Sequence, residues 1–146
     1  MEKAFGNAEE LEIVSLEKKY NLQLPEDYKQ FLQSCNGGLS LGEVELFLEK
    51  ANETTGIRCL YGIHTNTDNE IEDDMDEYGD ELPPNTLLIG DTLDGSFLFL
   101  ITCGENAGVW CWDHARIFPA SSEEGNAYFI TSTFSEFAKK YLNWEL

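Results

Sequence analysis

A helix with a marked beginning and end can be read in residues 24–38, LPEDYKQFLQSCNGG. Pro25 suits the first helical position, where its missing N–H is not needed, and the two acids that follow suit the first turn. Apolar side chains recur at i, i+3, i+4 and i+7, namely Tyr28, Phe31, Leu32 and Cys35, which predicts one buried face. The run 36–38, NGG, can adopt the left-handed conformation of a C-terminal cap. We therefore expect this stretch to be structural.

A first amphipathic helix precedes this stretch. Ile13, Leu16 and Tyr20 share one face at helical spacing, after an acid-rich start that suits a helix N-terminus. At the other end of the chain, Thr133 and Glu136 match a capping box, and the apolar residues after them mark a closing helix.

Short apolar runs between these helices predict strands at residues 44–48, 57–63, 86–89, 96–101 and 109–112. Short polar loops join the later runs, which favours antiparallel neighbours because parallel strands need long crossovers. The predicted fold class is α+β, a single domain over residues 1–146. A mainly antiparallel sheet is packed by two N-terminal helices and a C-terminal helix.

The charge of the chain is strongly one-sided. The net charge is −19, and residues 59–115 hold thirteen of the 28 acids without one Lys or Arg. Nine Phe, six Tyr and three Trp indicate a folded chain that carries this charge on its surface. Nucleic acids and anionic membranes are excluded as direct partners, because both require Lys and Arg. A basic protein is compatible.

Residues 68–81 carry nine of these acids. Ile71, Met75 and Tyr78 recur at helical spacing, and Asn69 with Glu72 suggests a capping box, so a short helix should turn carboxylates outward. No Lys compensates this run, which favours a recognition surface over a merely solvated face. Trp110 and Trp112 share one strand face and could supply apolar anchors. The candidate partner-binding residues are Asp68, Glu70, Glu72, Asp73, Asp74, Asp76, Glu77, Tyr78, Asp80, Glu81, Trp110 and Trp112.

Two metal sites are alternatives to partner binding, one built from acids and one from cysteines and histidines. Asp74, Asp76 and Gly79 match three positions of a calcium loop, but residue 85, where a bidentate Glu is needed, is Asn. A zinc site would have to combine Cys103, Cys111 and His114 with Cys59 or His64, a spacing that matches no common zinc finger. Buried free thiols are the preferred interpretation of the four cysteines, and we expect no metal or cofactor.

Catalysis finds little support in the sequence. Only His64 and His114 could activate a nucleophile, and no nucleophile elbow, phosphate-binding loop or dinucleotide-binding glycine pattern occurs. Paired carboxylates, as in glycosidases, stay open as an alternative. The chain has no signal-peptide core, and its longest apolar run, residues 97–101, is too short to span a membrane. We expect a cytoplasmic protein that is not an enzyme.

Several segments together resemble the SUKH superfamily, which includes the yeast cell-wall assembly regulator and many bacterial immunity proteins. They are, in order, LEKKY at 16–20, LPEDYKQFL at 24–32, NGG at 36–38, LYGI at 60–63, LIGD at 88–91 with DG at 94–95, GVWCWDH at 108–114, and TFSEF at 133–137. Asp91, Asp94 and Asp113 fall inside these scaffold segments. The acidic run 68–81 is compatible with the superfamily but is not one of its motifs.

The resemblance implies an α+β domain that works by binding. For a bacterial member it implies an immunity protein that binds and neutralises a toxin, often a nuclease. The charge of this chain adds our own expectation that its acidic face occludes the active site or substrate groove of a basic toxin. The alternatives are an interaction scaffold of the cell-wall regulator type and, from another class, a hydrolase that uses an acidic cleft. The sequence does not identify the toxin.

Overall fold

The structure is a computed structural model that describes residues 3–39, 44–48, 52–113 and 127–143. In these ranges the helices are α1 (Glu10–Tyr20), α2 (Glu26–Ser34), α3 (Ile71–Tyr78) and α4 (Phe134–Phe137). A 3₁₀ turn, Gly79–Glu81, extends α3, and a π-helical stretch, Ala138–Leu142, extends α4. The strands are β1 (Lys3–Ala4), β2 (Gly38–Leu39), β3 (Glu45–Leu48), β4 (Glu53–Leu60), β5 (Thr86–Thr92), β6 (Phe97–Ile101), β7 (Gly108–Trp112) and β8 (Ala127–Thr131).

The strands form one sheet in the order β1-β2-β4-β5-β6-β7-β8, and β3 pairs with β4 off this path. All pairs between these named strands are antiparallel. A single parallel bridge outside the strands joins Gly62 to Glu70. The predicted α+β class, with a mainly antiparallel sheet, two N-terminal helices and a C-terminal helix, is confirmed.

The N-terminal signature forms α2 and its two caps. Pro25 is the N-cap residue and the helix begins at Glu26, so the prediction that Pro25 occupies the first helical position is off by one residue. At the other end Asn36 and Gly37 are left-handed, with φ of 49° and 80°. A Cβ on Gly37 would lie 2.4 Å from the carbonyl oxygen of Leu60, so only glycine lets the chain pass this close to β4.

The buried face of α2 meets α4 and completes the core under the sheet. The rings of Tyr28 and Phe31 each lie 4.9 Å from the ring of Phe134. Asp27 Oδ2 accepts a hydrogen bond of 2.8 Å from the backbone N–H of Ser135, at the start of α4. Helices α2 and α4 therefore hold each other in place.

Several boundaries differ from the sequence prediction. Strand β4 runs from Glu53 to Leu60 rather than over 57–63, and β5 continues to Thr92. Strands β1 and β2 are two residues each, too short for a period-two pattern, and β8, which is apolar at four consecutive positions, was not predicted. At α4, Thr133 Oγ1 accepts from Glu136 N as predicted, but Glu136 Oε1 accepts from Ser132 Oγ, so only half of the capping box forms.

Candidate partner-binding surface

Helix α3 carries the acidic segment and packs on β5 through its apolar side. Ile71 and Met75 are buried, and Met75 Sδ accepts a hydrogen bond of 3.3 Å from Leu88 N. The predicted helix is therefore present with Ile71 and Met75 inward, whereas Tyr78, which was expected to point inward as well, is half-buried. Its N-cap is Glu70, with no side-chain cap, so the predicted capping box of Asn69 and Glu72 is wrong.

One side of α3 faces α1. Lys19 Nζ lies 3.3 Å from Glu72 Oε2 and 3.3 Å from Asp76 Oδ1. Tyr20 donates a 2.8 Å hydrogen bond to Asp76 Oδ1, and this bond is the main cause that lowers the pKa of Asp76. The prediction that no Lys compensates the acidic run is wrong, because the compensating Lys comes from a helix more than fifty residues earlier in the chain.

A second set of acids faces solvent. These residues are exposed and take part in no ion pair within the described ranges: Asp68, Asp73, Glu77, Asp80 and Glu81. Glu70 is half-buried, and its Oε1 accepts from the backbone N–H of Asn66 at 3.2 Å. The acidic surface that the fold leaves without a counter-charge is thus smaller than the predicted one.

The third side of α3 borders a cavity of about 450 Å³ between this helix, the end of β4 and the β5–β6 turn. Arg58 and Asp91 form a bidentate ion pair in its wall, with Nε–Oδ1 and Nη2–Oδ2 distances of 2.6 Å. Tyr61 donates a 2.8 Å hydrogen bond to Asp91 Oδ2. Asp91 is therefore bound into the scaffold, as its position in a strand motif suggests.

Asp74 and Tyr78 reach the same cavity from α3. Burial, followed by the charges of Asp91 and of acids on its own helix, raises the pKa of Asp74 above its ordinary value of 3.8, although the Tyr61 hydroxyl opposes the shift. Burial also raises the pKa of Tyr61, and the two nearby carboxylates add to it. Asp74 is thus a half-buried carboxylate in an unfavourable field.

Next to α3, aromatic rings cover one face of β6, β7 and β8. This aromatic strip consists of Tyr78, Phe97, Trp112, Phe99, Trp110 and Phe129. Tyr78 lies 5.0 Å from Phe97 and 6.4 Å from Trp112, and Phe97 lies 5.7 Å from Trp112, between ring centroids. Trp110 stacks on Phe99 at 6.2 Å and meets Phe129 edge-on at 5.3 Å.

Both tryptophans lie on this face, as period-two alternation predicts, while Val109 and Cys111 are fully buried on the other. Trp110 and Trp112 are half-buried. Phe97 and Phe99 of the strip were not predicted, because residues 97–101 are apolar on both strand faces and alternation cannot separate them. Phe129 lies in β8, a strand that was not predicted. The register, with Phe97 opposite Trp112 and Phe99 opposite Trp110, brings the rings together.

Comparison with known proteins decides the family. The model of the SMI1 / KNR4 family (SUKH-1) matches residues 7–140. The chain belongs to this family. One curated relative, the SPbeta prophage-derived uncharacterized protein YokK of Bacillus subtilis (strain 168), is 25% identical over 142 residues, which cover 86% of this chain and 70% of the relative.

The SUKH-1 match extends from before α1 into the π-helical stretch after α4, so it includes α3 and the aromatic strip. Within this SUKH-1 fold the signature residues of α2 are buried, whereas the exposed acids of α3 lie outside the core. The predicted site residues therefore fall into separate groups. Glu72 and Asp76 pair with α1, Asp74 and Tyr78 line the cavity, and Trp110 and Trp112 lie in the aromatic strip. Glu70 bonds to the backbone of Asn66, and the remaining acids face solvent.

The structure bears on the two metal interpretations to different extents. Asp74 and Asp76 lie inside α3 rather than in a loop, so the calcium-loop alternative is wrong. His114 lies outside the described residues, and within the described part no group of three or more His, Cys, Asp or Glu side chains is placed to hold a metal ion. His64 Nδ1 lies 2.6 Å from Glu12 Oε2.

The cysteines are free, but only two of them match the predicted buried thiols. Burial raises the pKa of Cys59 and of Cys111 to about 12, so both are protonated at neutral pH. Cys35 is half-buried and Cys103 is exposed, so the prediction that all four are buried is wrong. No helix in the described ranges has both the length and the apolar composition that a membrane crossing requires.

Proposed function

We propose that this SUKH-1 protein is a cytoplasmic immunity protein, which neutralises a basic protein toxin of the nuclease type by stoichiometric binding, without turnover. One observation carries the proposal. The solvent-facing carboxylates of α3 adjoin the aromatic strip through Tyr78, which belongs to both surfaces. Charge and large apolar anchors thus lie side by side on one part of the molecule.

Each half of this surface has a distinct physical role. Exposed carboxylates speed the approach of a basic partner and repel acidic ones, but surface charge contributes little to final affinity. Half-buried Trp, Tyr and Phe side chains are the residue types that dominate binding energy at the centre of interfaces. The acids of α3, as a rim beside the strip, would therefore set specificity and the strip would set affinity.

The family context supports this reading. The resemblance described above associates bacterial SUKH proteins with immunity, and the relative from Bacillus subtilis is described as prophage-derived. A prophage setting is bacterial, which favours the immunity role over the eukaryotic regulator role. Asp91, one of the three acids in the cavity wall, is fixed by Arg58 and Tyr61, which disfavours the hydrolase alternative.

The proposal is tested in the cell that encodes the protein. The C-terminal domain encoded by the gene immediately upstream is expressed alone and together with the full-length chain, and growth and complex formation are measured. We expect the domain to be toxic, growth to recover on co-expression, and a stable complex to be isolated. A complex with a partner that is not toxic would instead support a scaffold, and recovery without any complex would contradict neutralisation by binding.

A further inference from the structure

The cavity beside α3 has more acidic than basic side chains in its lining, and part of its wall is aromatic. Its lining includes Arg58, Tyr61, Asp68, Asp74, Tyr78 and Phe97. Its volume of about 450 Å³ accommodates a long side chain of a partner. One of its lining residues, Leu93 of the β5–β6 turn, is apolar and 69% exposed.

Arg58, the cation in the cavity wall, is already bound by other groups. Its Nε and Nη2 groups both donate to the carboxylate of Asp91, and Nη2 also donates to Asn69 Oδ1 at 2.9 Å. Asp74 and Asp68 take part in no ion pair within the described residues. The cavity therefore keeps two carboxylates for which the fold supplies no cation.

Three aromatic residues stand around these carboxylates. Tyr61 is almost fully buried, and its hydroxyl lies within hydrogen-bonding reach of Asp74 while it donates to Asp91. Tyr78 and Phe97 form the wall that continues into the aromatic strip, at 5.0 Å from each other. Aromatic faces attract cations through their quadrupole, most strongly where water is partly excluded.

We infer that this cavity receives the guanidinium group of an arginine side chain from the partner protein, which pairs with Asp74 and stacks on the rings of Tyr78 and Phe97. A guanidinium fits better than an ammonium, because it is planar, can stack on rings and can bind a carboxylate through two N–H groups. The inference rests on the proposed function, since it assumes a basic protein partner, and it names the residue type by which that partner is recognised.

A small probe tests the cavity without any toxin. N-acetyl-arginine amide is titrated into the ¹⁵N-labelled full chain at constant ionic strength, and amide shifts are followed by NMR. The neutral isostere N-acetyl-citrulline amide serves as the comparison ligand. We expect saturable shifts around Asp74, Leu93 and Gly95 with the arginine probe only. Asp74→Asn should weaken the apparent affinity about tenfold or more, whereas Asp73→Asn, which removes a neighbouring solvent-facing carboxylate, should leave it nearly unchanged.

Three results would overturn the inference: absence of saturable shifts, equal shifts with citrulline, or equal losses in the two variants. The comparison of arginine with citrulline uses the unaltered chain, so it decides the question even if a variant folds poorly. The growth-rescue experiment of the proposed function does not depend on this cavity. A failed titration with successful rescue would therefore remove the arginine site and leave the immunity role standing.

Discussion

Helices α2 and α3 have similar sequence patterns but differ in how the fold uses their polar side chains. Both are short, with nine and eight residues, and both have acids in the first turn. In α2 Tyr28, Phe31 and Leu32 are fully buried, and Asp27 accepts a hydrogen bond from the start of α4. In α3 the acids divide between α1, a cavity and solvent. An apolar stripe predicts packing for both helices, but only tertiary contacts show which polar residues remain available to a partner.

The largest effect should come from the buried stripe of α2. Phe31→Ala removes a ring that contacts Phe134 in the core, and we expect the free energy of unfolding to fall by about 3–5 kcal/mol. Urea denaturation followed by circular dichroism measures it. Leu11→Ala, at a position in α1 that is 77% exposed, is the control and should change stability by less than about 0.5 kcal/mol. A loss below about 1 kcal/mol for Phe31→Ala would mean that α2 is not a core element.

The cap after α2 should give the next largest effect. Gly37→Ala places a Cβ 2.4 Å from a backbone oxygen in addition to an unfavourable φ, whereas Gly104→Ala has a similar φ of 92° and no atom within 4 Å. Both variants carry the conformational penalty, so their difference isolates the clash. We expect Gly37→Ala to lose about 1–3 kcal/mol more than Gly104→Ala in the same urea assay. Equal losses would show that close packing against β4 is not what requires glycine.

Asp74→Asn should stabilise the protein, in contrast to changes in α2. Because the folded-state pKa of Asp74 is raised, the folded chain holds this proton more tightly than the unfolded chain, and stability falls as pH rises from about 3.8 through the raised pKa. At neutral pH the variant should gain up to about 1 kcal/mol, and the gain should vanish in acid. The charged or titratable groups that act on Asp74 are Tyr61, Asp73, Glu77 and Asp91. Thermal unfolding at several pH values measures the gain, and a gain independent of pH would contradict this cause.

The smallest stability effect concerns the α1-facing acids. Lys19→Met removes the ion pairs to Glu72 and Asp76, which are partly exposed to solvent, so we expect only a small loss of stability that shrinks in salt. Lys18→Met, at an exposed position one residue earlier, is a charge-matched control. If both variants lose the same stability at low salt, the α1–α3 contact adds nothing beyond general charge balance.

The sequence was informative where local patterns decide the structure. The stripe and C-terminal cap of α2, the burial of Ile71 and Met75 in α3 and the antiparallel pairing of the strands all follow from spacing, cap residues and loop length. Contacts between distant segments could not be read in this way. Lys19 reaches Asp76 across 57 positions, and Arg58 reaches Asp91 across 33. The expectation of an uncompensated acidic run failed because charge balance is set by tertiary neighbours rather than by neighbours along the chain.

The central claim, that the solvent-facing acids of α3 form the recognition surface, is tested most directly by association rates with the cognate toxin. Asp73→Asn combined with Glu77→Gln is compared with Glu10→Gln combined with Glu45→Gln, two exposed acids on α1 and β3, so both variants lose the same charge. Stopped-flow binding at low and high salt should show the α3 variant about threefold slower or more at low salt, the control near the unaltered chain, and convergence at high salt. Equal slowing in the two variants, or none in the α3 variant, would contradict the account.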